Sequence, residues 1–199
     1  MNLPNKITMS RIILSFCIIL VLLFPLDAAG LNFPKLFVDE KIVIDLRYII
    51  AGFLFIIASV TDFFDGNIAR KRGIVTDLGK VLDAIADKVL VNSVLIILSS
   101  TGFISPIIPV VIIVRDSIVN SIKMVAGSKG NTVAAIYTGK IKTACLMIGI
   151  TLTLFYNLPF EIWNIKVSDA ILIIACVFAI ISAVQYYNMN KKYIFSDAN

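Results

Sequence analysis

Between residues 89 and 114 the chain carries no charged side chain. A bilayer-crossing helix needs about 20 predominantly apolar residues, so this window is long enough for more than one crossing. Ser99-Ser100-Thr101-Gly102 breaks it, and Ser105-Pro106 is a good helix start, with a capping hydroxyl ahead of a proline in the first turn. Further uncharged windows lie at 12–26, at 48–61 with a backward extension into 42–46, at 143–160 and at 170–190. These windows predict six spans, which account for most of the 59% of hydrophobic residues in a 199-residue chain. The expected fold class is all-α: a polytopic membrane protein with six transmembrane helices plus a short N-terminal interfacial helix. Residues 1–199 then form a single membrane domain. A basic start, an apolar run and Asp27-Ala28-Ala29-Gly30 superficially fit a cleaved leader, but with five further spans none is needed.

Composition narrows the chemistry. The absence of histidine removes imidazole bases, Ser-His and Cys-His pairs and His-ligated zinc or iron. Cys17, Cys145 and Cys176 are far apart in apolar runs and read as packing residues. A metal in this chain must be held by carboxylates, which favours magnesium or manganese.

Basic residues set the expected orientation. With both termini inside, the inner segments hold Lys6, Arg11, Arg70, Lys71, Arg72, Lys80, Lys123, Lys129, Lys140, Lys142, Lys191 and Lys192, against Lys35, Lys41, Arg47 and Lys166 outside. The positive-inside rule places both termini in the cytoplasm of a multi-pass cell-membrane protein. The net charge of +5 is then flanking charge facing an anionic leaflet. No motif interleaves aromatic and basic residues, so no nucleic-acid partner is expected.

Acidic residues in spans are expensive and usually functional. Asp62, Asp65, Gly66 and Ala69 stand at i, i+3, i+4 and i+7, one stripe of a helix; Gly79, Asp83 and Asp87 form one stripe of the next. The short link at 71–78, with Gly73, forces the two helices antiparallel, so that four carboxylates can meet. Four anions cannot share a dry site without cations, and two magnesium ions would cancel them. The small residues leave room beside the metals, and Arg70 offers a planar fork for phosphate oxygens. The combination points to phosphoryl transfer at the inner face. A divalent-cation transporter would also carry acids, but spread along a path across the bilayer; here they cluster at one end.

The run Asp62-Phe63-Phe64-Asp65-Gly66-Asn67-Ile68-Ala69-Arg70, eight further residues, then Gly79-x-x-x-Asp83-x-x-x-Asp87 resembles the signature of the CDP-alcohol phosphatidyltransferases at all eight fixed positions. The resemblance implies a six-helix fold, two divalent ions (Mg2+ or Mn2+), a CDP-linked lipid donor and a homodimer. It marks Asp62, Asp65 and Asp83 as metal ligands, and Asp87 as both a ligand and the general base. Gly66, Ala69, Arg70 and Gly79 become nucleotide-binding positions. Asp77, outside the eight, is either a helix cap or a cytidine contact. Many relatives have proline where this chain has Ala84, a change expected to affect helix shape more than chemistry.

The signature does not choose the acceptor. Arg115 sits well inside a span and needs an anion; Lys123 is on roughly the same face, and Lys140 and Lys142 flank the start of the fifth span. Such a pocket suits a phosphorylated acceptor. Asn2-Leu3-Pro4-Asn5-Lys6-Ile7-Thr8 through Arg11, together with Arg115-Asp116 and Gly139-Lys140-Ile141-Lys142-Thr143, resembles the phosphatidylglycerophosphate-forming branch of the same family. That implies CDP-diacylglycerol as donor, glycerol 3-phosphate as acceptor and an active site at the cytoplasmic face. Inositol phosphate or another polyol phosphate is the alternative acceptor. Asn5 and Thr8 either help hold the nucleotide or cap the first helix.

Overall fold

The computed structural model describes residues 3–24, 35–38, 42–72, 77–131 and 133–194; at 3–7, 35–38, 42, 62–72, 77, 78 and 80 the description covers the backbone alone. Six α-helices occur among these residues: α1 (Leu3–Leu23), α2 (Leu46–Arg72), α3 (Asp77–Ser100), α4 (Ile107–Ser128), α5 (Tyr137–Leu154) and α6 (Val167–Ile194). A 3-10 turn (Phe160–Trp163) links α5 to α6. An antiparallel ribbon, β1 (Lys35–Val38) with β2 (Ile42–Asp45), precedes α2, with Lys35 opposite Asp45 and Val38 opposite Ile42.

The break in the long apolar window falls where Ser99 to Pro106 predicted it. Gly102 takes φ +79°, and the Phe103 N–H reaches back to the Leu98 carbonyl at 2.9 Å. Gly130 repeats the device after α4 with φ +77° and Asn131 N–H on the Ala126 carbonyl at 3.0 Å. The start of α4 differs from the expected hydroxyl cap. Pro106 takes the cap position at φ −58° and ψ −20°, and no side chain caps the helix. Its ring already fixes a helical φ, and Ser105 contributes its carbonyl, which accepts the Ile108 N–H at 3.1 Å.

Two expectations are corrected. Among the described residues no separate helix precedes α1, which is unbroken from Leu3, because Pro4 falls in its first turn, where a missing N–H costs nothing. The backward extension at 42–46 is strand through Asp45. Ile42, Val43 and Ile44 are β-branched and favour extended backbone. The Asp45 carboxylate then accepts the Arg47 N–H at 2.9 Å, which starts α2. The ribbon is tied to the far end of α5 by the Asp45 N–H, which donates to the Tyr156 hydroxyl at 2.8 Å. Burial pushes that hydroxyl's pKa up, so it stays protonated.

Helix α1 packs along both α2 and α3, and α6 along both α4 and α5. Ile18, Phe55, Leu90, Leu98, Leu146 and Leu172 belong to one shared apolar core. At Gly149 a Cβ would lie 2.7 Å from Cδ2 of Leu172, which is fully buried and has nowhere to move. Gly149→Ala gains about 1 kcal/mol of helix propensity but overpacks this contact at about 1–3 kcal/mol. The expected net is a lower thermal unfolding midpoint in detergent; an equal or higher midpoint would show that α5 and α6 can separate freely.

The surface is inverted relative to that of a water-soluble bundle. Ile13, Phe16 and Leu20 on α1 and Ile173, Val177, Ile180 and Val184 on α6 are each half or more exposed, while Arg11, Ser15, Lys142, Ser182 and Asn190 are buried. Apolar faces of this extent belong against another apolar phase. By length and composition, α6 is the one described helix apolar enough to cross a bilayer; Thr8–Leu23 and Leu46–Thr61 are shorter apolar stretches. The other helices carry charges that interrupt such a stretch, Arg115, Asp116 and Lys123 in α4 among them. The protein is a helical membrane protein.

Candidate active site

The signature occupies the end of α2 and the start of α3, as its helical spacing predicted. On α3, Gly79, Asp83 and Asp87 stand on successive turns, and both carboxylates are exposed. Accessible hard oxygen donors of this kind suit magnesium or manganese. Among the described residues no group of three or more metal-binding side chains forms. The side chains of Asn5, Asp62, Asp65, Gly66, Ala69, Arg70 and Asp77 lie outside the described residues, so the expected meeting of the two stripes rests on positions of which only the helical backbone is seen.

A side chain from α1 enters instead. Thr8, Arg11 and Ser15 are almost fully buried on one face of that helix. The Arg11 guanidinium donates from Nη1 to Asp83 Oδ1 at 2.8 Å. Thr8 lies one turn before Arg11 on that buried face, and Arg11, a flanking charge by hydropathy, turns inward to Asp83.

The basic residues of the second half divide. Arg115 is gripped on α4: Nε and Nη2 donate to Ser182 Oγ of α6 at 3.1 and 2.6 Å, and Nη1 to the Asp116 carboxylate at 2.7 Å. Lys142, on α5, donates to both oxygens of the same carboxylate at 3.0 Å. Tyr186, one turn beyond Ser182, puts its ring 5.7 Å from the Arg115 guanidinium and 5.0 Å from the Lys123 ammonium. Its hydroxyl accepts the Ile136 N–H at 3.2 Å and so pins the residues leading into α5. Gly139 borders Arg115, whose Nη2 would be in ordinary contact, 3.6 Å, with a Cβ there. Arg115, Lys123 and Lys142 thus form one cluster around Asp116 and Tyr186. Lys140 is exposed and, two residues from Lys142, about 200° around the helix from it. The anion that the largely buried Arg115 needs is supplied by its neighbour Asp116.

The sequence reading passed over Ser182 and Tyr186. The signal was present: with Asn190 they stand at i, i+4 and i+8, one stripe of α6, and all three are buried. A cavity of about 380 Å³ lined by Phe103, Tyr156, Glu161, Lys166 and Asp169 among the described residues opens at the other end of the helices.

The profile of the CDP-alcohol phosphatidyltransferase family matches residues 1–181. The chain belongs to this family. Among similar phosphatidyltransferases, a Bacillus subtilis (strain 168) protein named CDP-diacylglycerol–glycerol-3-phosphate 3-phosphatidyltransferase is 39% identical over 189 residues, covering 95% of each chain. A Rickettsia bellii (strain RML369-C) protein of the same name is 33% identical over 193 residues, 96% of this chain and 97% of that one. A Mycoplasma genitalium (strain G37) namesake is 36% identical over 148 residues, 74% of this chain and 60% of its own.

Proposed function

We propose that the chain transfers the phosphatidyl group of CDP-diacylglycerol to sn-glycerol 3-phosphate, releasing CMP and giving phosphatidylglycerol phosphate. The observation that carries this reading is the cluster of Arg115, Lys123 and Lys142 around Asp116 and Tyr186, within a chain whose similarity to transferases of that name runs nearly end to end. A neutral alcohol needs no such field; an acceptor phosphate does.

Asp87 accepts the proton of the acceptor hydroxyl as its oxygen attacks the lipid phosphorus, and the bond from that phosphorus to CMP breaks. Arg70 grips diphosphate oxygens with its fork. Gly66, Ala69 and Gly79 leave room for the nucleotide, which Asn5, Thr8 and Asp77 border. Asp62, Asp65, Asp83 and Asp87 would hold two magnesium or manganese ions, which would supply positive charge to offset that of the diphosphate. Lys123 and Lys142 attract the acceptor phosphate, Arg115 fixes its orientation, and Lys140 adds field from the inner end of α5. The whole chain acts as one membrane domain: all six helices span the bilayer, both termini and the site face the cytoplasm, and two copies pair as a homodimer.

An acceptor panel tests the reading. Purified protein with labelled CDP-diacylglycerol and a divalent ion is expected to release CMP with glycerol 3-phosphate and to be nearly inert with glycerol, serine or inositol phosphate. Preferred turnover of inositol phosphate would move the chain to another branch of the family.

A further inference from the structure

Arg11 is the most deeply buried charged side chain among the described residues, 1% exposed, yet its partner Asp83 is 56% exposed. Burying a guanidinium is expensive, and an apolar side chain of similar volume packs at least as well. A purely structural contact gives no reason for the charge. The neighbours along α1 sharpen the point. Ser15 turns its hydroxyl to the Arg11 carbonyl at 2.8 Å, and Ile18, on the same face, joins the core between α1, α2 and α3. Arg11 is thus held from behind by a packed helix and reaches out to a carboxylate at the rim of the signature site.

We infer that Arg11 is a positioning residue for Asp83. It fixes the carboxylate through one oxygen and leaves the other available to a divalent cation. This makes α1 part of a site whose signature lies wholly on α2 and α3. The inference rests on the proposed role of Asp83 as a metal ligand. Hydrogen-bond partners of ligating carboxylates set the ligand's aim, and their loss typically weakens metal affinity about 10- to 100-fold. Charge alone predicts the opposite sign, because deleting a cation beside the site would tighten divalent binding.

The test is Mn2+ binding to the full-length protein in detergent, followed by the electron paramagnetic resonance of free Mn2+ alongside the thermal midpoint. Arg11→Met and Arg11→Gln are expected to bind Mn2+ about 10- to 100-fold more weakly. Turnover lost at low Mn2+ should return as Mn2+ is raised. Arg11→Lys, which keeps the charge and loses the fork, should fall between these variants and the native protein, and it carries the test alone if the others fail to fold. Unchanged or tighter Mn2+ binding in a folded variant overturns the inference. Asp83→Asn separates the two failures. If it binds Mn2+ as the native protein does, the ligand reading of Asp83 has failed; if it loses binding while the Arg11 variants do not, only the positioning role has.

Discussion

Asp83→Asn is expected to leave the helices folded and to lower turnover by about 10²-fold or more, the scale of losing one preorganised electrostatic contact to a developing charge. The substitution is nearly isosteric, and the native side chain is more than half exposed, so little packing is lost. The amide oxygen can still accept the Arg11 hydrogen bond, which keeps α1 and α3 together. What disappears is a negative charge among four carboxylates whose proposed task is to hold divalent cations. Asp62→Asn and Asp65→Asn should behave alike, and chelation should abolish turnover in the native protein. Asp87→Asn is the informative contrast: it should still bind CDP-diacylglycerol, because its loss is mainly of proton acceptance. Release of labelled CMP, with circular dichroism to report the helices, measures all four. Full turnover in chelator, or Asp83→Asn within a few-fold of native, would remove the metal from the reading.

The helices were legible from their long uncharged windows, and the turn at Ser99 to Pro106 because glycine and proline act locally. The ribbon was not legible: Ile42 to Asp45 continues the hydropathy of the span behind it, and only pairing with β1 decides between strand and helix. Arg11 illustrates a different limit. On hydropathy it is a basic residue flanking a span; that it points inward at Asp83 depends on how α1 rotates against α3. The signature stripes could be read from spacing alone, since i, i+4 and i+8 fix a face. Which cations meet across helices could not: α5 turns Lys142, not Lys140, to Asp116 beside Arg115.

Arg115→Ala should raise the KM for glycerol 3-phosphate about 10- to 150-fold, the loss of about 1.5–3 kcal/mol in a charge-assisted hydrogen bond. The KM for CDP-diacylglycerol should change far less. The geometry explains why the protein survives the change: Asp116 keeps Lys142 as partner, and Ser182 still donates to the Ala179 carbonyl at 2.9 Å. No buried charge is left alone. Because three of its nitrogens are already engaged with Ser182 and Asp116, Arg115 reaches an acceptor phosphate only in an arrangement those partners dictate. Arg115→Lys should therefore recover only part of the affinity, since an ammonium cannot reproduce that three-point hold. Ser182→Ala, which frees the guanidinium without removing it, should raise the same KM by a smaller factor. Glycerol, without a phosphate, should be a poor acceptor for the native protein and hardly respond to any of these changes. If Arg115→Ala leaves the acceptor KM untouched and lowers the thermal midpoint instead, the arginine is a clamp between α4 and α6. The phosphate then falls to Lys123, Lys140 and Lys142, point charges without a fork, which would discriminate poorly among phosphorylated polyols.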